Sequence, residues 1–136
     1  MATTAVEIWD KFEEFQSFDE YDVPASVDGR RSLISASCSI YNKYMRIIDE
    51  KDVTFDKTTD ELDGTLDDAR LEIFAKCMLV KISRDIYSDF VSAYGMNQTI
   101  MGFKDFKSQA DHKLTLIKEI ILDIEQIRFS IMETTE

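Results

Sequence analysis

The stretch LEIFAKCMLVKI, residues 71–82, decides the fold, because its apolar residues fall on nearly every face of a helix. A helix that is hydrophobic all round is a buried helix, and other elements must cover it. The flanking residues predict that it begins near Thr65 or Asp67 and ends at Tyr94, before Gly95. The side chains that we expect to line the core are Leu71, Phe74, Cys77, Met78 and Val80.

Three further segments carry helical periodicity. The first, about Ala5 to Phe18, has one aromatic and one acidic face, and Thr4 and Glu7 resemble a capping box. The second, about residues 28–49, carries an amphipathic stripe that predicts packing against a core. The last, about Lys104 to Met132, is long enough to span about 40 Å as a helix.

Length and composition fit one all-α domain, a small bundle of about four helices with a long C-terminal helix. The 136 residues are 44% hydrophobic, enough for a core, and one proline and four glycines favour long helices over short strands. We expect residues 1–27 to form the aromatic helix and an acidic connector, and residues 28–136 to form the core bundle. An acidic loop, residues 50–66, joins the second and third helices, with a short extended piece at Val53 to Phe55.

The formal net charge of −11 is unevenly distributed. Residues 1–28 carry −7, residues 29–48 carry +4, residues 49–72 carry −7, and the remainder carries −1. This balance disfavours phosphate-contacting nucleic-acid binding and anionic membrane surfaces, which both need clustered Lys and Arg. It fits a highly soluble surface, and equally a surface that repels DNA, imitates DNA or docks on a basic partner.

The residues that usually carry chemistry occur without the partners that catalysis needs. His112 lies on the polar side of the last helix, and Cys38 and Cys77 have no paired spacing, so we interpret them as surface and packing residues in a reducing compartment. No phosphate-binding, dinucleotide-binding or nucleophile-elbow motif is present. The sequence therefore predicts no enzyme, no catalytic residue and no cofactor. It also predicts a cytoplasmic protein, because no signal peptide or membrane-spanning run is visible.

The acidic loop invites comparison with a calcium-binding loop. If Gly64 is the turn glycine of an EF-hand, Thr59 and Arg70 occupy the first and twelfth positions, where carboxylate ligands are required. This excludes an EF-hand, and we assign no metal. An irregular cation site stays open as an alternative, and it would use Asp60, Glu61, Asp63 and Asp67.

Two kinds of binding surface remain as candidates. The aromatic face of the first helix, with Trp9, Phe12 and Phe15, either packs on the core or docks on a neighbouring subunit. The basic second helix offers Arg30, Arg31, Lys43 and Arg46 to the carboxylates of another subunit, and we include Arg30 and Arg31 in the partner interface. The candidate residues for an acidic face toward a DNA channel or a partner are Asp56, Asp60, Glu61 and Asp63.

The helix order resembles that of the small helical head-to-tail connector proteins of tailed bacteriophages. The resemblance covers residues 30–132: RRSLISASCSIYNKYMRIID (30–49), an acidic loop, DDARLEIFAKCMLVKISRDIYSDF (67–90) and a long closing helix. It implies a structural subunit that forms a ring with its own copies and joins portal to tail. It also implies that DNA passes without specific contact, that no membrane is involved, and that the protein resides in the virion after assembly in the host cytoplasm.

The charge alone supports an alternative, an acidic DNA mimic that inhibits a host nucleic-acid-binding protein. A mimic needs carboxylates spread along one elongated face at phosphate-like spacing. Here the acids concentrate in two non-helical stretches and the first helix, while the last helix is nearly balanced. This distribution favours the connector.

Overall fold

Four helices and one short pair of strands make up the computed structural model, which describes residues 2–18, 22–96 and 102–134. The helices are α1 (Ala5–Phe15), α2 (Val27–Met45), α3 (Asp68–Met96) and α4 (Phe103–Thr134). Strands β1 (Phe55–Asp56) and β2 (Glu61–Leu62) form an antiparallel hairpin between α2 and α3. The prediction of a mainly α fold with four helices is confirmed. The predicted acidic connector falls partly outside the described residues, at positions 19–21.

Side-chain caps set the starts of three helices, and two of these caps, Thr4 and Asp67, are residues that the sequence predicted. The Thr4 hydroxyl accepts a hydrogen bond from the Glu7 backbone N–H at 3.3 Å. Asp67 caps α3 by accepting from the Arg70 N–H at 2.8 Å. Each cap satisfies a backbone donor that has no partner within the helix. Ser26 caps α2 in the same way through the Gly29 N–H, at 3.0 Å.

Three predicted helix ends are displaced, for local reasons. α1 ends at Phe15 rather than Phe18, because the backbone becomes extended at Gln16. α2 ends at Met45 rather than Asp49, and a turn follows it. α3 continues to Met96, so the predicted stop before Gly95 is wrong: this glycine remains within the helix.

The middle of α3 forms the centre of the core and contacts α1, α2 and α4. Four of the five predicted core side chains, Phe74, Cys77, Met78 and Val80, are completely buried, whereas Leu71 is half-buried. The side chains that cover this helix include Ile8 and Phe12 from α1, Ile34, Tyr41 and Met45 from α2, and Ile124 and Ile131 from α4. The prediction that residues 71–82 form the most buried helix is confirmed.

Helices α3 and α4 continue beyond this core as an antiparallel pair. At 1.5 Å per residue they are about 43 and 48 Å long, whereas α1 is only about 16 Å long. Among the described residues of α3, the last buried one is Ile82. Farther out, Tyr94 and Phe90 stack on Phe106 with ring centroids 3.8 and 5.4 Å apart. The outer end of the pair therefore has its own aromatic cluster.

The acidic segment between α2 and α3 is a braced hairpin rather than an open loop. Within it, Phe55 pairs with Leu62 and Asp56 pairs with Glu61. The backbone of Thr3 runs alongside the hairpin. Its N–H donates to the Gly64 carbonyl at 3.0 Å, and its carbonyl accepts from the Leu62 N–H at 2.9 Å. The pairing buries Leu62 and ties the chain start to the hairpin. Of the extended piece predicted at residues 53–55, only Phe55 lies in a strand, as the first residue of β1.

Replacing Phe74 with alanine tests the central position of α3. The ring is fully buried, so Phe74→Ala should lower the free energy of unfolding by about 3–5 kcal/mol. The matched control is Phe103→Ala, because the Phe103 ring is 67% exposed and its loss should cost less than about 0.5 kcal/mol. Urea unfolding followed by circular dichroism measures both. A loss below about 1 kcal/mol at Phe74 would mean that α3 is not the core helix.

Replacing Tyr41 with phenylalanine should stabilise the protein, whereas Phe74→Ala should destabilise it. Its ring packs 5.4 Å from Phe74, and its buried hydroxyl makes no hydrogen bond to any residue in the described part of the chain. Burial also raises the pKa of this phenol. Because an unsatisfied buried hydroxyl is costly, Tyr41→Phe should raise the free energy of unfolding by about 1–3 kcal/mol. The half-buried Tyr87 is the control, and Tyr87→Phe should change stability little. A destabilised Tyr41→Phe protein would contradict this account.

Candidate interaction surface

A shallow cleft of about 190 Å³ lies between α1 and α2, and we call it the α1–α2 cleft. Its floor and walls are mainly apolar, and Val6 and Val27 on its walls are 69% and 61% exposed. An apolar depression with a few charged groups is typical of surfaces that bind other molecules. The lining residues are Ala5, Val6, Trp9, Val27, Arg30, Arg31, Ile34 and Asp60.

A bidentate ion pair fixes one edge of the cleft. Arg31 Nε donates to Asp60 Oδ1 at 2.7 Å, and its terminal nitrogen donates to Oδ2 at 2.9 Å. The hydrogen bonds from Arg31 hold the pKa of the Asp60 carboxyl below its usual range. Asp60 lies in the hairpin turn with φ of 56°, in the left-handed region, where short polar residues are tolerated. The pair therefore ties the β1–β2 turn to α2.

Arg30 also lines the cleft. Its guanidinium lies 4.6 Å from the centre of the Trp9 ring, in the position of a cation–π contact. Arg30 is exposed, and it forms no salt bridge with any residue that the structure describes. Its charge is therefore available to a carboxylate from outside the chain.

The remaining predicted aromatic residues of the interface belong to the interior. Phe12 is completely buried, and Phe15 is half-buried beneath the Lys76 ammonium, which lies 4.5 Å from its ring centre. Neither ring lines the cleft. Of the two interpretations of this face, core packing describes Phe12 and Phe15, and only Trp9 also reaches the candidate surface.

The four predicted acidic-face residues all lie on or beside the hairpin, but two of them are occupied by contacts that hold the backbone. Asp56 accepts from the Thr58 N–H at 2.8 Å. Asp63 accepts from the Thr54 N–H at 3.1 Å. Asp60 pairs with Arg31, and Glu61 is half-buried beside Thr4, with which it forms a β-bridge. The carboxylates of Asp56, Asp60 and Asp63 therefore hold the local backbone or a neighbouring helix in place.

Two of the four basic residues predicted for the second helix, Arg31 and Arg46, are paired within the chain. Besides the Arg31–Asp60 pair, Arg46 forms a bidentate pair with Asp52 at 3.1 and 2.9 Å. Arg31 and Arg46 therefore already have carboxylate partners within the chain, and their contact with another subunit stays a prediction. The cause is geometric: the acidic segment folds back alongside α2. Lys43 is exposed, 5.8 Å from the Tyr44 ring centre.

The next candidates are metal ligands and reactive thiols. Residues 2–18, 22–96 and 102–134 contain no group of three His, Cys, Asp or Glu side chains placed to hold a metal ion. His112 lies exposed on α4. Burial raises the pKa of the Cys38 thiol to about 11 and also raises that of Cys77. Thiols of this kind are protonated at neutral pH and are poor nucleophiles.

None of the helices in the described part of the chain is both long and apolar enough to span a membrane.

Comparison with known proteins gives one finding about origin. Over residues 1–136 the chain matches the model of a family described as the YomZ prophage protein. This confirms the phage origin that the resemblance implied, but it does not specify a connector. No curated protein and no solved structure shows a significant match to the chain.

The Arg31–Asp60 pair should be visible in the pH dependence of stability. Because the pKa of Asp60 is depressed in the folded state, its contribution is present above about pH 4 and is lost as pH falls through the folded-state pKa. Asp60→Asn should therefore lower stability at pH 7 and lose less stability than the wild type on acidification to pH 2–3. The exposed Glu50 offers the control Glu50→Gln. Urea titrations at several pH values measure this, and parallel pH profiles for wild type and Asp60→Asn would contradict it.

Proposed function

Because this chain belongs to the YomZ prophage protein family, we propose that it is a non-enzymatic structural subunit of a phage particle. The specific role proposed is a head-to-tail connector, in which copies of the chain form a ring between portal and tail around the DNA channel. The observation that carries the proposal is that large apolar side chains are exposed on more than one element of the fold. Val6 and Val27 flank the α1–α2 cleft, and Leu122 and Phe129 are 55% and 61% exposed on α4. Two distinct apolar surfaces suit a subunit that touches a neighbour on each side.

The reactive groups support a non-catalytic role. The two thiols are buried with raised pKa values, and the single histidine is an exposed residue of α4. A general base needs an orienting partner, and a nucleophile needs a lowered pKa. The thiols of Cys38 and Cys77 instead have raised pKa values, and His112 lies exposed on α4.

The electrostatics favour the connector over the DNA mimic. A net charge of −11 lets a polyanion pass without adhering, since few phosphate contacts can form. A DNA mimic needs unpaired carboxylates at regular spacing. In this chain Asp49, Asp52 and Asp60 are each engaged by an arginine at 3.1 Å or less. The acidic segment is therefore partly neutralised along its length.

The location in the particle is the decisive test. In particles released from the induced prophage, we expect a closed ring of this chain at the neck, with portal and tail proteins above and below it. Cryo-electron microscopy of the particles, with copies counted around the symmetry axis, measures this. Induction of a prophage that lacks the gene is the control, and it should give filled heads and free tails that do not join.

A different location and partner would contradict the proposed connector role. If the protein is absent from particles and instead binds one-to-one to a host nucleic-acid-binding protein in competition with duplex DNA, the DNA-mimic alternative is correct.

A further inference from the structure

The outward face of α4 carries an aromatic side chain that the fold of one chain does not use. Phe129 is 61% exposed and lies about 140–160° around the helix from the buried residues Ile124 and Ile131. Leu122, seven residues earlier, is on the same outward face and is 55% exposed. Single exposed apolar residues are common on protein surfaces. A phenyl ring with a second apolar residue two turns away forms a larger contact surface.

We propose that Phe129 of one copy inserts into the α1–α2 cleft of a second copy of this chain. The inference rests on the proposed function as a ring subunit, and it names the surfaces that would join the subunits. The sizes agree, because an apolar cavity of about 150 Å³ holds a benzene molecule and this cleft measures about 190 Å³. Val6, Val27 and Trp9 would contact the ring.

Charge selects Phe129 over the other exposed phenylalanine of α4. Glu125 and Glu133 lie one turn before and after Phe129, on the same side of the helix. They would meet Arg30, the rim cation without a salt bridge to any described residue. Phe103 is 67% exposed, but Lys107 lies one turn after it on the same side of the helix and would be repelled by Arg30. Complementary charge of this kind fixes which surfaces meet and in which register.

The two surfaces are different, so the contact is head-to-tail. Each copy would use its cleft for one neighbour and its Phe129 for another. A contact of this type closes into a ring when the rotation between copies allows it and otherwise extends as a filament. The same pair of surfaces therefore accounts for an assembly larger than a dimer.

The first experiment is sedimentation velocity of the full chain over a wide concentration range. Wild type should form species larger than a dimer, and Phe129→Ala and Val27→Glu should each weaken association by about tenfold or more. Both side chains are exposed, and glutamate suits the first turn of α2, so thermal unfolding should change little. Phe103→Ala is the matched control and should associate like wild type. A wild-type protein that stays monomeric at every concentration overturns the proposal.

A mixing experiment separates head-to-tail contact from any symmetric one. Phe129→Ala protein keeps an intact cleft, and Val27→Glu protein keeps an intact Phe129. An equimolar mixture should form heterodimers and nothing larger, because only one productive contact remains. A mixture as monomeric as its components overturns the head-to-tail pairing.

Charge reversal gives an independent measurement of the same contact. Arg30→Glu should weaken association, and combining it with Glu125→Arg and Glu133→Arg should restore it. If the combined variant does not regain association, Arg30 does not lie in the interface.

The outcomes also separate this inference from the proposed function. If particles contain the ring and Phe129→Ala leaves it intact, the docking is wrong and the connector stands. If the chains associate through these surfaces but are absent from particles, the docking stands and the connector is wrong.

Discussion

The covering of α3 is the constraint on which the rest of the structure depends. A helix whose middle is apolar on almost every side cannot leave any face in water, since each fully buried large side chain contributes about 1.5–3 kcal/mol. One partner helix covers only part of that circumference. α1, α2 and α4 all contact α3, and together they bury residues such as Phe74 and Met78 completely. The aromatic face of α1 is therefore needed inside the monomer, which explains why Phe12 lies in the core.

Ion pairs join the acidic segments to the neighbouring elements of the fold. Arg70 at the start of α3 pairs with Asp49 after α2 through two hydrogen bonds of 3.0 Å, and Asp67 also accepts from it at 2.7 Å. Arg31 connects α2 to the hairpin turn, and Lys11 connects α1 to Asp68 at 3.1 Å. Exposed pairs contribute little energy individually. Their value here is positional, because each joins two different elements of the fold.

The sequence could predict those features of the fold that depend on the local spacing of residues. The spacing of Ile8, Phe12 and their neighbours, and the capping residues Thr4 and Asp67, locate the helices, since both depend on residues within one or two turns. The cleft could not be predicted in this way. It depends on the contact of Thr3 and Thr4 with the hairpin some sixty positions later and on the pairing of Arg31 with Asp60. Charge counts over segments showed that acidic and basic stretches alternate, but not that Arg31, Arg46 and Arg70 pair with carboxylates of the same chain.

The pairing of Arg31 and Arg46 with carboxylates of the same chain determines what kind of partner the remaining surface can bind. Where Arg31 and Arg46 have carboxylates of their own, an acidic partner would have to displace bidentate pairs to reach them. A partner at the α1–α2 cleft instead meets apolar walls and the one arginine of α2 that the described chain leaves without a carboxylate, Arg30. On the proposed docking, recognition there would depend on an apolar group with acidic neighbours rather than on charge alone. A chain with a net charge of −11 that repels its own copies at long range can still associate through such a contact, because apolar burial acts only at contact distance.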